Sequence, residues 1–132
     1  MTPYATWASN LLRGAVILDT ETTGLDDEAQ IIQLAIIDMQ GNTLFDSLLR
    51  PSCEISVGAA AVHQITADKL IDAPTIVDVI DDVKKIIFRN RVITYNADFD
   101  TRMLRQTLSA YKLDAEWMKQ IGFQCAMKMY AE

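Results

Sequence analysis

The stretch Ala15-Val-Ile-Leu-Asp-Thr-Glu-Thr-Thr-Gly24 decides how the rest of the chain is read. Ala15 to Leu18 is a short apolar run, which predicts a buried strand over Ala15 to Thr20. It ends in two carboxylates, Asp19 and Glu21, spaced i and i+2. Alternate side chains of a strand share a face, so the two project together. Anions held that close repel each other unless a cation lies between them. Carboxylate oxygens suit hard divalent ions such as Mg²⁺ or Mn²⁺. Thr22, Thr23 and Gly24 then break the strand, and Gly24 is expected to take the positive φ of a tight exit. The plainer reading, acids at a strand end that are merely solvated, stands beside the metal reading.

Outward from this stretch, Ile31 to Asp38 is almost wholly apolar and reads as a strand buried on both faces. Gln40-Gly41-Asn42 signals a turn into a strand over Thr43 to Leu49, which makes an antiparallel hairpin. Pro51 to Ala61 reads as a loop, and Thr66 as the start of a helical turn over Ala67 to Ile71. Pro74 and Thr75 open a stronger helix, with Thr75 and Asp78 placed as a capping pair. Ile76, Val77, Ile80, Val83, Ile86 and Ile87 form its apolar face. Arg91 to Tyr95 is again a strand, followed by a helix from about Asp98 to Tyr111 with Phe99, Met103, Leu104 and Leu108 inward. Trp117 and Met118 predict a short helix, Phe123 to Ala126 a last short strand, and Met127 onward a helical start. Trp7, Leu11 and Leu12 suggest one helical turn in a lead-in segment. The order predicts an α/β fold with a mixed sheet, antiparallel on the hairpin side and parallel on the other. The expected strand order is the hairpin, then the Ala15 strand, the Arg91 strand, and the Phe123 strand outermost.

The chain has 132 residues, half of them hydrophobic, which predicts one domain over residues 1–132. Eighteen acidic and 12 basic residues give a net charge of −6, which excludes a protein that grips duplex nucleic acid by bulk electrostatics. Metal ions at a strand end would supply positive charge locally instead. Cys53 and Cys125 lie far apart with no CxxC pattern and read as free thiols in a reducing compartment. With no signal-peptide layout and no apolar run of membrane-spanning length, the expected location is the cytoplasm, with no membrane association.

Three motifs occur in order: Asp19-Thr-Glu21-Thr-Thr-Gly24, then Val62-His63-Gln-Ile65-Thr66, then Tyr95-Asn96-Ala-Asp-Phe99-Asp100. Together they resemble the proofreading-type 3′→5′ exonucleases of the DEDD superfamily, which share a ribonuclease-H-like fold. Cys125 to Ala131 is similar to the segment that follows the second of that family's metal motifs. The resemblance implies that Asp19, Glu21 and Asp100 are the catalytic carboxylates and hold two ions, Mg²⁺ or Mn²⁺. It places Thr22, Thr23, Gly24, His63, Thr66, Asn96 and Phe99 beside the terminal nucleotide. From the residues alone, Asn96 also reads as a helix N-cap, Phe99 as a core aromatic and His63 as a loop residue. The implied substrate is the single-stranded 3′ end of a nucleic acid, DNA first and RNA left open, released as nucleoside 5′-monophosphates. A polymerase or a second copy of the chain is the implied protein partner.

The chain departs from the family pattern at the third motif, His-x₄-Asp, since no histidine follows His63. This predicts a C-terminally shortened domain with impaired hydrolysis, whether fragment or shortened homologue. Two alternatives remain at this point. One is a non-catalytic module that keeps the fold and binds nucleic acid or a protein. The other is a phosphate-transferring hydrolase with an Asp-x-Asp-x-Thr nucleophile loop, from which Glu21 departs.

Overall fold

The computed structural model describes residues 14–129. Among them, five strands form one sheet in the order β3-β2-β1-β4-β5. The strands are β1 (Ala15–Thr22), β2 (Ile31–Asp38), β3 (Thr43–Leu48), β4 (Arg91–Thr94) and β5 (Phe123–Cys125). The helices are α1 (Val57–His63), α2 (Ala67–Leu70), α3 (Ile76–Ile87), α4 (Ala97–Ala110) and α5 (Ala126–Met129), with a 3₁₀ turn at Glu116–Gln120. The lead-in turn expected around Trp7, Leu11 and Leu12 lies outside the described residues.

The predicted strand order and directions are those found. β1 pairs antiparallel with β2 and parallel with β4, and β2 pairs antiparallel with β3. The hairpin turns at Gly41, whose φ of 89° favours glycine. Asp38 caps it by accepting the backbone N–H of both Gln40 and Asn42 at 2.9 Å. A parallel pair requires a crossover, and α3 supplies it between β1 and β4. The Asp78 carboxylate accepts the Thr75 N–H at 2.9 Å and so starts α3 as the sequence predicts.

One core holds the sheet to its helices. Val16, Leu18, Leu34, Ile36 and Val92 meet Ile76, Ile80, Val83 and Ile87 of α3 and Met103, Leu104 and Leu108 of α4. Val77, expected on this face, is exposed, because it falls off the stripe that the other four define. β2 is not buried on both faces. Its burial alternates beyond Ile32, with Leu34 and Ile36 buried and Gln33, Ala35 and Ile37 only partly so. The two long helices cover one face, and only the Ile32 end packs into a second small cluster with Ile65 and Leu70.

Two local expectations are corrected. The segment read as a loop contains α1, started by Ser56, whose hydroxyl accepts the Ala59 N–H at 3.1 Å. Gly24 does not take a positive φ; glycines with positive φ are Gly14 and Gly41 among the described residues. The turn there is held by side chains instead, with the Thr22 hydroxyl donating to Gly24 O at 2.8 Å. β1 accordingly runs on to Thr22 and pairs past the two carboxylates, with a bulge between Glu21 and Thr22.

The core assignment is checked by denaturation. Leu34→Ala, at a fully buried position, is expected to cost about 2–5 kcal/mol in urea unfolding. Val57→Ala, at an exposed position, is expected to stay within about 0.5 kcal/mol.

Candidate active site

β1 outruns β4. Their parallel register ends at Ile17↔Ile93, while β1 continues alongside β2 to Thr22. Asp19, Thr20 and Glu21 therefore occupy an overhang with a neighbour on one side only. The chain leaving β4 turns through Tyr95 and Asn96 into α4, which brings Asp100 to that overhang. Asn96 starts α4 by accepting the Phe99 N–H at 3.3 Å. Gathering functional groups at the C-terminal ends of parallel strands is the common arrangement of such sheets.

Alternation places Thr20 on the face of Val16 and Leu18, and Asp19 and Glu21 on the other. Thr20 donates its hydroxyl to Asp100 Oδ1 at 2.9 Å, across 80 residues of sequence. Burial pushes the Asp100 carboxyl above the usual carboxylate range. The hydrogen bond from Thr20, the nearby Thr94 hydroxyl and the Asn96 backbone pull it down, and the neighbouring Asp19 charge pushes it up again. The Thr94 hydroxyl faces this carboxylate without reaching full hydrogen-bond geometry: it is buried and has no partner at that standard.

Glu21 opens on a cleft of about 320 Å³. Thr20, Thr22, Gly24, Leu25 and Phe99 line it together with Ser56, Gly58, Ala59, Val62 and His63 of the α1 region, whereas Asp19 and Asp100 do not. Leu25 and Val62 are strongly exposed, an unusual state for such side chains flanking a recess. Arg102 lies over the Phe99 ring at 5.8 Å. Two larger surface clefts, of about 550 and 600 Å³, contain none of the three carboxylates, so size alone does not mark the site.

His63 is fully engaged. Its Nδ1 accepts the Ile65 N–H at 3.0 Å, so the proton resides on Nε2, which donates to Thr22 O at 2.9 Å. Thr22 and Thr23 are buried, and Thr23 links Gln30 N and Cys53 Sγ through its hydroxyl. Thr66 lies apart from the cleft, in a groove with Arg50, Ile55 and Leu70, and donates its hydroxyl to Asp68. Of the residues expected beside a nucleotide, Thr22, Gly24, His63 and Phe99 line the cleft, while Thr23, Thr66 and Asn96 do not. Sequence reading missed Thr20, Leu25, Ser56, Val62 and Thr94. For Thr20, the signal was a hydroxyl in an otherwise apolar row of β1.

Among the described residues, no three His, Cys, Asp or Glu side chains are already gathered into a metal-holding cluster. The donor types suit a hard divalent ion: Asp19 and Glu21 lie on the β1 overhang, and Asp100 is close enough to feel the Asp19 charge.

Comparison with known proteins places this site in a class. The chain matches the exonuclease family RNase_T over residues 16–131. It is 37% identical over 120 residues to the uncharacterized exonuclease CP81 of Escherichia phage 186, covering 89% of this chain and 62% of that protein. It is 33% identical over 103 residues to the DNA polymerase III subunit epsilon of Rickettsia felis, covering 74% of this chain and 45% of that protein. A solved structure of exonuclease X in complex with 5′ overhanging duplex DNA superposes with a TM-score of 0.64 at 30% identity, covering 87% of this chain and 61% of that one. The mixed sheet and its helices thus form a ribonuclease-H-like exonuclease fold. The chain belongs to the RNase_T exonuclease family, whose members of this kind use divalent metal ions. That assignment displaces the phosphate-transferring reading of Asp19 to Thr23. The chain spans about three fifths of the phage relative and under half of the polymerase subunit. Among the described residues, no helix is long and apolar enough to cross a membrane.

The raised Asp100 pKa has a measurable consequence. A carboxyl that binds its proton more tightly when folded loses stability as pH rises through its folded pKa. In the presence of a chelator, Asp100→Asn is expected to be more stable than the wild type at pH 7. The difference should shrink as pH falls through the carboxylate range, as read by thermal melts across pH.

Proposed function

We propose that this chain is a 3′→5′ exonuclease domain acting on single-stranded DNA ends, with Asp19, Glu21 and Asp100 as its metal-holding carboxylates. The observation that carries the reading is the meeting of the β1 overhang with the start of α4 beside an apolar-walled cleft. Two divalent ions, Mg²⁺ or Mn²⁺, would there polarise the scissile phosphate and supply the attacking hydroxide. The protein's own part is to seat the strand end. Leu25, Val62 and Phe99 offer apolar surface to the terminal base and sugar, which suits stacking without sequence preference. Thr22, Gly24 and His63 also line the cleft. RNA is the alternative substrate.

His63 is not the general base in this reading, because both of its ring nitrogens bind backbone groups. No His-x₄-Asp that would supply a base and a fourth carboxylate follows the second motif within these 132 residues; the one such spacing, His63 to Asp68, precedes it. On this reading residues 1–132 are one domain whose hydrolysis is weak by itself. The domain works in the cytoplasm, and the epsilon relatives suggest a polymerase as its partner, with self-association the other candidate. The second reading is a non-catalytic module on the same fold.

The test incubates the purified protein with end-labelled single-stranded DNA and Mn²⁺. Release of nucleoside 5′-monophosphates is expected to be slow, by about 10²- to 10⁴-fold for want of a general base. It should be abolished in Asp19→Ala and restored in a longer chain carrying His-x₄-Asp. No release from the longer chain would favour the non-catalytic module.

A further inference from the structure

Thr20 sits between the two acids of β1, yet its side chain belongs to the opposite face of the sheet. Its neighbours in that row are Val16 and Leu18, both buried. A hydroxyl at the end of an apolar row must find a partner or lose hydrogen bonding that water would have given it. The partner is Asp100 Oδ1, at 2.9 Å. An ionised carboxylate only accepts, so Thr20 is the donor. The donor is also stiff, because branching at Cβ restricts χ1.

Thr94, the last residue of β4, is also near this carboxylate, and its hydroxyl is fully buried and without a hydrogen-bond partner. Asp100 thus lies near hydroxyls from two parallel strands, and one of them, Thr20, is engaged. From below, its own N–H is fixed to Asn96 O at 2.9 Å in the first turn of α4.

We propose that Thr20 is a positioning residue, which holds Asp100 Oδ1 so that Oδ2 is the oxygen presented to a divalent ion. The inference rests on the metal-site reading above and adds to it a residue outside the carboxylate set. Thr20 is not itself a ligand of the ion; it acts by fixing the rotamer of the one ligand that does not come from β1. Asp19 and Glu21 are oriented by strand alternation, but Asp100 projects from a helix and has no such constraint. Thr20 supplies it.

Mn²⁺ binding to the purified protein, measured by electron paramagnetic resonance and calorimetry without nucleic acid, tests this. Thr20→Val removes the hydroxyl and keeps the shape. It is expected to weaken Mn²⁺ binding about 10- to 100-fold, the usual effect of losing a group that orients a ligand, with a melting temperature near that of the wild type. Thr20→Ser, which keeps the hydroxyl, is expected to bind close to wild type. In an Asp100→Asn background, Thr20→Val should cost nothing further, since its effect passes through Asp100. Wild-type Mn²⁺ affinity in Thr20→Val, or an equal loss with and without Asp100, would overturn the proposal while leaving the metal site standing. Undiminished Mn²⁺ binding in Asp100→Asn alone would instead overturn the metal-site reading and this proposal with it.

Discussion

The site depends on how α4 is stitched to the loop that follows β1. That loop leaves backbone carbonyls with no strand partner, and such groups need donors. Arg102 donates to Leu25 O at 2.8 Å and to Asp27 at 3.2 Å. Gln106 donates to Ala29 O at 2.8 Å and Asp26 O at 3.1 Å. Thr107 accepts the Ile31 N–H at 2.9 Å and donates its hydroxyl to Met103 O at 2.7 Å. Each bond contributes only about 1 kcal/mol. Together with the apolar face of Met103, Leu104 and Leu108 on the sheet, they fix both the rotation and the height of the helix. Asp100 lies on the same helix, two residues before Arg102 and seven before Thr107, so its place relative to Asp19 is set by the same stitching.

The acidity of the chain takes its meaning from this geometry. With a net charge of −6, the protein has no long-range attraction for a polyanion. Its cleft is correspondingly short of cations; Arg102 is turned onto Phe99 and the Leu25 carbonyl. The lining of the cleft is instead mostly apolar, with Leu25, Val62 and Phe99 beside the Glu21 carboxylate.

Much of the sheet was legible because its signals are local. The Gly41 turn, the apolar runs and the Pro74–Thr75 helix start each act over a few residues, and their order leaves few ways to assemble them. Asp100 was singled out by the resemblance of Tyr95 to Asp100 to the family's second metal motif, with which its position just past a parallel strand agrees. Thr20 was not, since its partner is 80 residues away. α1 was missed because Val-Gly-Ala-Ala-Ala-Val-His has no polar face to set a helical period; it forms through the Ser56 cap and the propensity of alanine. The isoleucines of β2 misled in the opposite way, since an unbroken apolar run is silent about which face is covered. Gly24 was misread by type: a glycine in a turn suggests a left-handed residue, but threonine hydroxyls make this turn.

α1 has no buried residue among its seven, yet it forms one wall of the cleft. It is riveted at its ends rather than anchored along its length. Ser56 N–H holds Thr23 O at 2.7 Å at one end, and His63 holds Thr22 O at the other, just before the left-handed Gln64. Helices without a core face open at lower free energy than the body they rest on. The two walls of the cleft therefore differ in compliance: β1 and α4 form a fixed jaw, and α1 a movable one. Displacement of α1 would leave Asp19, Glu21 and Asp100 where they are, because all three sit on the fixed jaw.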